Sequence, residues 1–169
     1  KGYLANLEIK CLVLKYPEEV TKLVKGQSYP DEISFLCANE SRNKFIAKLA
    51  ESLDGNTLIL YNYVDKHGRI LHQMIKDRLP NRKVHFIHGD VEALDREEVR
   101  RITEDETDSV IVASYGTFST GINIKHLHNV IFASPTKSQI RTLQSIGRGL
   151  RLGENKQKAV LYDIVDDLR

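Results

Sequence analysis

The segment from Ser138 to Leu152, SQIRTLQSIGRGLRL, gathers the side chains best suited to phosphate chemistry. Wound as a helix at about 100° per residue, it places Arg141, Gln144, Arg148 and Arg151 in a stripe roughly 80° wide. Ile140, Leu143, Ile146 and Leu150 then fall on the side that would meet a core. Guanidinium forks match the geometry of phosphate oxygens, and Gly147 leaves room for close approach. Three guanidinium groups and a carboxamide on one edge suit an anionic ligand, although a solvated arginine stripe paired with acids has the same spacing.

The distribution of charge sharpens this. The chain carries 25 basic and 23 acidic residues, a net of +2. Between Lys137 and Lys158 six bases face one acid, whereas between Asp90 and Asp108 nine acids face three arginines. The basic stretch suits a polyanion such as nucleic acid or nucleotide phosphate. The acidic one reads as a solvated helix offset by Arg96, Arg100 and Arg101.

Other candidate sites are weaker. His85 and His88 are separated by an odd number of positions, so on a strand they point to opposite faces and cannot share a metal. His126 and His128 have no cysteine near them, and no metal site is expected. Cys11 and Cys37 read as small apolar core residues. Tyr61 and Tyr63 could stack on bases, but tyrosines at that spacing in or beside a strand serve equally as packing. Gly116-Thr-Phe-Ser-Thr-Gly121 has the glycine spacing of a phosphate-binding loop, yet Ile122-Asn123 stands where Lys and Ser or Thr are required. Asp31-Glu32 imitates a magnesium-binding acidic pair but follows Tyr29-Pro30 instead of an apolar strand, so a helix start is expected there.

These residues need a scaffold, and the hydrophobic pattern specifies one. Apolar runs at Thr57–Asn62, Lys83–His88, Ser109–Ser114, Asn129–Ala133 and Lys158–Asp163 predict strands covered on both faces. Between them, Ser41–Leu53 and Asp65–Leu79 repeat apolar residues at helical spacing, closed by Asp54-Gly55-Asn56 and by Pro80. The alternation predicts an α/β fold with a mainly parallel sheet flanked by helices. Glu8–Lys15 is a further strand-like run, followed by breaks at Pro17 and Tyr29-Pro30. Residues 1–56 are expected to be a lead-in segment with the first helices, and 57–169 the domain proper. The irregular start suggests a piece of a longer polypeptide.

Composition bounds the class. A chain of 169 residues with 41% hydrophobic and 28% charged residues can bury a core without a metal or disulfide framework. Its apolar runs are far shorter than the roughly 18 residues of a membrane span, and no secretory signal is visible. With two cysteines a reduced, cytoplasmic setting is expected.

Gln144, Gly147, Arg148 and Arg151 match the Q-x-x-G-R-x-x-R signature, motif VI, of superfamily-two helicases. Other motifs of that family follow the proper order. Ser114-Tyr-Gly-Thr-Phe-Ser-Thr-Gly121-Ile-Asn123 looks like motif V; Leu58–Asn62 with His67 resembles motif IV; His88-Gly89 with Arg96 is similar to the segment between them. The resemblance covers residues 57 to 163, a second RecA-like domain of the P-loop NTPase type. Within the superfamily it looks most like phage recombination and repair helicases that remodel branched DNA.

That resemblance implies roles. Arg148 and Arg151 would act as arginine fingers on the γ-phosphate of ATP, and Gln144 would orient the neighbouring groups or the attacking water. Gly121 and Asn123 would approach the nucleotide. Ser114 would contact a backbone phosphate, and Asn62, Tyr63, His67, His88 and Gly89 would line a sequence-blind track for a DNA strand. Ser114 stands where the family often has Thr, which keeps a hydroxyl, and Asn123 where it often has Asp, which removes a carboxylate. ATP and Mg²⁺ would be held mainly by an N-terminal RecA-like domain of the same polypeptide, because this sequence has neither a G-x-x-x-x-G-K-[ST] loop nor a magnesium carboxylate. The fragment alone is expected to be inactive. The expected substrate is DNA, branched or at single-strand/duplex junctions, in the host-cell cytoplasm if the source is a phage. The alternatives are a RecA-like module that only binds nucleic acid or protein, and a Rossmann enzyme, which the absence of G-x-G-x-x-G disfavours.

Overall fold

Strands covered on both faces lose the alternation of a half-exposed sheet, and the central strands here are buried at nearly every position. In the computed structural model, which describes residues 3–4, 7–89, 91–118, 124–135, 142–144, 146, 150–151 and 159–168, the strands are β1 (Tyr3–Leu4), β2 (Leu7–Lys15), β3 (Thr57–Tyr61), β4 (Val84–Ile87), β5 (Val110–Ser114), β6 (Ile124–Lys125), β7 (Asn129–Phe132), β8 (Leu150–Arg151) and β9 (Ala159–Asp167). Seven of them form one sheet in the order β1-β2-β9-β7-β3-β5-β4, parallel throughout except at β1; β6 and β8 pair separately, also parallel.

Two helical layers sandwich this sheet. On one face α3 (Glu40–Ser52) and α4 (Arg69–Arg78) press Ile46, Ala50, Leu71 and Ile75 against Ile59, Val112 and Ile131. On the other, α5 (Glu92–Asp105) sets Val99 and Ile102 against Leu60, Ile111 and Phe132. The change of partner between Ile59 and Leu60 is the period-two alternation of a strand. Helices α1 (Glu18–Lys25) and α2 (Tyr29–Ala38) precede α3. Ser28 caps α2 by accepting from the Asp31 N–H, with Pro30 in the first turn, so Asp31-Glu32 does open a helix. Asn39 caps α3 through Arg42 N–H at 2.9 Å.

The breaker Asp54-Gly55-Asn56 works by side-chain bonding. Gly55 has φ 91° and its missing Cβ would meet the His128 ring at 2.7 Å. Asn56 donates to the carbonyls of Glu106 and His126 and accepts from Ser109 N–H, tying three loops at the start of the strands.

Four expectations change. The supposed lead-in contributes β2, which pairs with β9 from Leu7↔Ala159 to Lys15↔Asp167, so residues before 57 belong to the same sheet. The helix over Asp65–Leu79 opens instead as a π-turn, Val64–Gly68, before α4. The helix over Ser138–Leu152 is helical at 142–144 and 146, but Leu150 and Arg151 are extended and pair with Ile124 and Lys125. Gly147 and Gly149 are poor helix formers and sit just before that switch. Arg151 therefore leaves the helical stripe, and Leu150 is placed by strand pairing. Finally, Cys37 is buried but Cys11 is exposed, and both are free thiols.

Candidate nucleic-acid and nucleotide interface

Parallel strands end at one edge of a sheet, where α/β folds bind ligands. Three of the expected contact regions meet there. Tyr61 pairs with Ser114 and Ile87 with Ala113, so Asn62, Ser114 and His88-Gly89 stand side by side at the ends of β3, β5 and β4. At about 4.8 Å per strand spacing, the row from β3 to β4 is roughly 10 Å wide. Asn62, Tyr63, His88 and Gly89 are exposed and Ser114 is half-buried. Ser114 Oγ lies 3.4 Å from Thr117 Oγ1 in the 3-10 turn Tyr115–Phe118. The Asp95 carboxylate lies close over Gly89, where a Cβ would stand 2.6 Å from its oxygen and displace the end of that side chain.

Aromatic groups border this edge. Tyr63 packs under the Lys66 ammonium, 5.2 Å from its ring centre, and the His72 ring stacks on Phe86 at 4.9 Å, with His88 beside it at 4.4 Å. Tyr61 is fully buried and donates to Ile87 O at 3.1 Å, so it is packing and not a base platform. Burial raises its phenol pKa.

His67 does not join the exposed row. The π-turn folds its imidazole inward, where it is fully buried. Nε2 lies 2.9 Å from Asn43 Oδ1 and Nδ1 2.6 Å from Ser134 Oγ. Asn43 Nδ2 donates to Cys37 O at 2.9 Å, which leaves Asn43 Oδ1 as the acceptor. The proton therefore sits on His67 Nε2, Nδ1 accepts, and Ser134 Oγ–H donates to it. The Ser134 oxygen in turn accepts from Asn62 N–H at 3.2 Å. Desolvation, reinforced by the nearby Arg42 charge, pushes the His67 pKa down to about 3, so the ring is neutral.

A second buried group lies alongside. Arg42, with no side-chain exposure, makes a forked bond to Asp166, Nε to Oδ1 at 2.9 Å and Nη2 to Oδ2 at 3.0 Å, and donates Nη1 to Ala133 O at 2.6 Å. Tyr16 OH completes the carboxylate at 2.5 Å. Burial first, then the bond to Asp166, raises the Tyr16 pKa. Sequence reasoning passed over Asn43, Ser134, Arg42 and Asp166. One signal was available: Arg42 and Asn43 continue the apolar stripe of α3 four and three residues before Ile46, where a polar group must be buried.

The nucleotide-facing candidates are less fully placed. Gln144 is exposed and helical, and the backbone of Arg151 lies in β8 beside Lys125. Arg148, Gly121 and Asn123 lie outside the described residues. The acidic helix is solvent-facing as expected: Arg100 pairs with Glu97 and Glu104, and Arg101 with Glu98 and Asp105. Among the described residues no three His, Cys, Asp or Glu form a metal-binding group. Nor is any described helix long and apolar enough to cross a membrane.

A mainly parallel sheet flanked by helices is the architecture of a RecA-like helicase domain, and the chain belongs to the helicase conserved C-terminal domain family, which it matches over residues 41–153. It is 39% identical over 98% of its length to the ATP-dependent DNA helicase UvsW of Enterobacteria phage T4. The crystal structure of T4 UvsW superimposes with a TM-score of 0.80 at 38% identity, over 96% of this chain and 33% of that one. A structure of Saccharomyces cerevisiae Dbp5 bound to RNA and ADP BeF3 shares the fold alone, with a TM-score of 0.54 at 21% identity over 78% of this chain and 34% of that one. The chain spans about a third of the length of UvsW.

Proposed function

We propose that the chain is the C-terminal motor half of an ATP-dependent DNA helicase or translocase that remodels branched DNA in recombination, replication and repair. The observation that carries this reading is the similarity to UvsW along nearly the whole chain. The meeting of Asn62, Ser114 and His88-Gly89 at one sheet edge supports it. Exposed backbone and small polar groups there suit phosphate contacts that ignore sequence. Tyr63 adds an exposed ring at the margin.

ATP and Mg²⁺ fit a division of labour. This chain supplies cations and a carboxamide, Arg148, Arg151 and Gln144, and no phosphate-cradling loop. An N-terminal RecA-like domain of the same polypeptide would hold the nucleotide, with Gly121 and Asn123 approaching it from this side. Phosphoryl transfer spreads charge over the equatorial oxygens, where a planar cation stabilises the transition state. Closure of the two domains on ATP would bring the arginines in and change the grip on the strand. The test compares ATP hydrolysis by the full-length protein and by the 169-residue chain alone, each with and without branched DNA. The reading requires DNA-stimulated hydrolysis from the former and none from the latter; a full-length protein indifferent to DNA would leave only a binding module.

A further inference from the structure

Strand β4 is the last in its sheet, and the two helical layers beside it carry opposite charge. On one side α5 has six acids against three arginines. On the other, the stretch from Asp65 to Arg78 has four bases, Lys66, Arg69, Lys76 and Arg78, against Asp65 and Asp77. A polyanion that passes the β4 edge is therefore drawn to the α4 side and repelled from the α5 side. Packing fixes where the cations stand. The Arg69 guanidinium lies 5.7 Å from the Phe86 ring centre and the His72 ring stacks on Phe86 at 4.9 Å, so the side of α4 that carries them borders β4. Lys76 follows His72 by one helical turn on the same side. Burial, then the nearby Lys76 and His88, lower the His72 pKa, so its imidazole meets an anion as a neutral N–H donor.

Helix α4 is the crossover between parallel strands and runs back from the strand-end row. Arg69, His72 and Lys76 therefore step down the flank of β4, away from His88, over about 10 Å. Arg69 is exposed, as is its partner Asp65 at 2.8 Å, and Lys76 is exposed with no carboxylate partner among the described residues. The flank offers charge and N–H donors but no open ring, because Phe86 is already bordered by Tyr61, His72 and His88. Single strands are held by open aromatic faces as well as by charge, whereas a duplex hides its bases and presents phosphates. We propose that the flank formed by Arg69, His72 and Lys76 is a second nucleic-acid contact, which holds the phosphate backbone of a duplex arm adjoining the strand at the row. This rests on the functional reading above and extends it: the row takes one strand, the flank takes the arm, and a branched DNA supplies both. Contact through phosphates alone makes the flank blind to sequence.

The experiment measures DNA affinity of the full-length protein by fluorescence anisotropy with two probes, a single strand and the same strand continued into a duplex arm. Arg69→Gln with Lys76→Gln removes two charges from the flank, and Arg100→Gln with Arg101→Gln removes two from α5, so the two variants have equal net charge. All four side chains reach solvent, and thermal unfolding establishes that both variants are folded. The flank variant is expected to bind the armed probe about five- to tenfold more weakly, with a log–log salt slope shallower by about 1 to 2, and the single strand within about twofold of wild type. The α5 variant is expected to bind both probes as the wild type does. Equal weakening of both probes by the flank variant would put these residues in the single-strand track, and equal weakening by both variants would reduce the effect to net charge. Either result overturns the proposal, as does an armed probe that the flank variant binds as tightly as wild type. A wild-type protein that binds neither probe defeats the functional reading itself, which separates the two failures.

Discussion

His67 Nδ1 lies 2.6 Å from Ser134 Oγ, and neither side chain reaches solvent. A histidine in that position has its protonation decided by its neighbours. Asn43 must accept, because its amide nitrogen is used on Cys37 O, and the imidazole is neutral with its proton on Nε2. Nitrogen NMR of the ring is expected to show that single tautomer from pH 7 down to pH 4. A protonated imidazolium at pH 5 would contradict the arrangement.

The same site makes stability depend on pH. The unfolded chain takes up a proton below about pH 6.5, whereas the folded site takes it up only near pH 3. Between those values the unfolded state binds more protons, so stability from this group is complete above pH 6.5 and falls as the pH drops toward 3. At 1.36 kcal/mol per unit, lowering the pH from 7 to 4.5 removes about 2 to 3 kcal/mol. Denaturant unfolding at both pH values is expected to show that extra loss in the wild type and not in His67→Gln. Equal losses in the two proteins would mean that another group carries the effect.

The Arg42–Asp166 pair predicts an asymmetry. Removing one partner leaves a charge buried in a site with almost no solvent access. Asp166→Ala is expected to cost about 3 to 5 kcal/mol, whereas replacing both with apolar residues of similar volume restores most of the loss. Chemical denaturation of the single and double variants checks this. A single-variant cost below about 1 kcal/mol, the range of surface pairs, would contradict the burial.

Glycine substitutions separate propensity from packing. An alanine Cβ at Gly68 would meet the Tyr61 ring at 2.8 Å, while at Gly26, just past α1, nothing lies within 4 Å. Helix propensity favours alanine by about 1 kcal/mol. At Gly68 the clash with a ring locked by its bond to Ile87 O is expected to outweigh that gain, for a net loss of about 1 to 3 kcal/mol. Gly26→Ala is expected to stay within about 0.5 kcal/mol of wild type. Unfolding midpoints of the two variants distinguish the cases, and a Gly68→Ala protein as stable as wild type would refute the close contact.

Much of this fold was legible in the sequence because burial leaves a period. The β-branched runs marked β3, β4, β5, β7 and β9 within a few residues, and Phe45, Ile46, Leu49 and Ala50 marked α3. What escaped was set by partners distant in sequence. β2 looked like a lead-in because its partner, β9, lies some 150 positions later. The end of the Ser138–Leu152 segment was read by helical angle, yet pairing with Ile124–Lys125 takes Leu150 and Arg151 out of the helix. His67 had the composition of a surface contact, and only a π-turn, which no periodicity signals, turns it beneath the edge. The adjacency of Asn62, Ser114 and His88-Gly89 was readable because each ends or directly follows a strand, and parallel strands end together.

The central claim is that this domain supplies arginines to a nucleotide held elsewhere while it grips DNA. The most direct measurement is DNA-stimulated ATP hydrolysis by the full-length protein, wild type against Arg148→Ala and Arg151→Ala, with DNA affinity measured in parallel. Loss of an arginine finger slows phosphoryl transfer by about 10³- to 10⁵-fold. The account predicts a collapse of that order with DNA affinity little changed. Hydrolysis at the wild-type rate in both variants would make these arginines surface cations and contradict the motor reading.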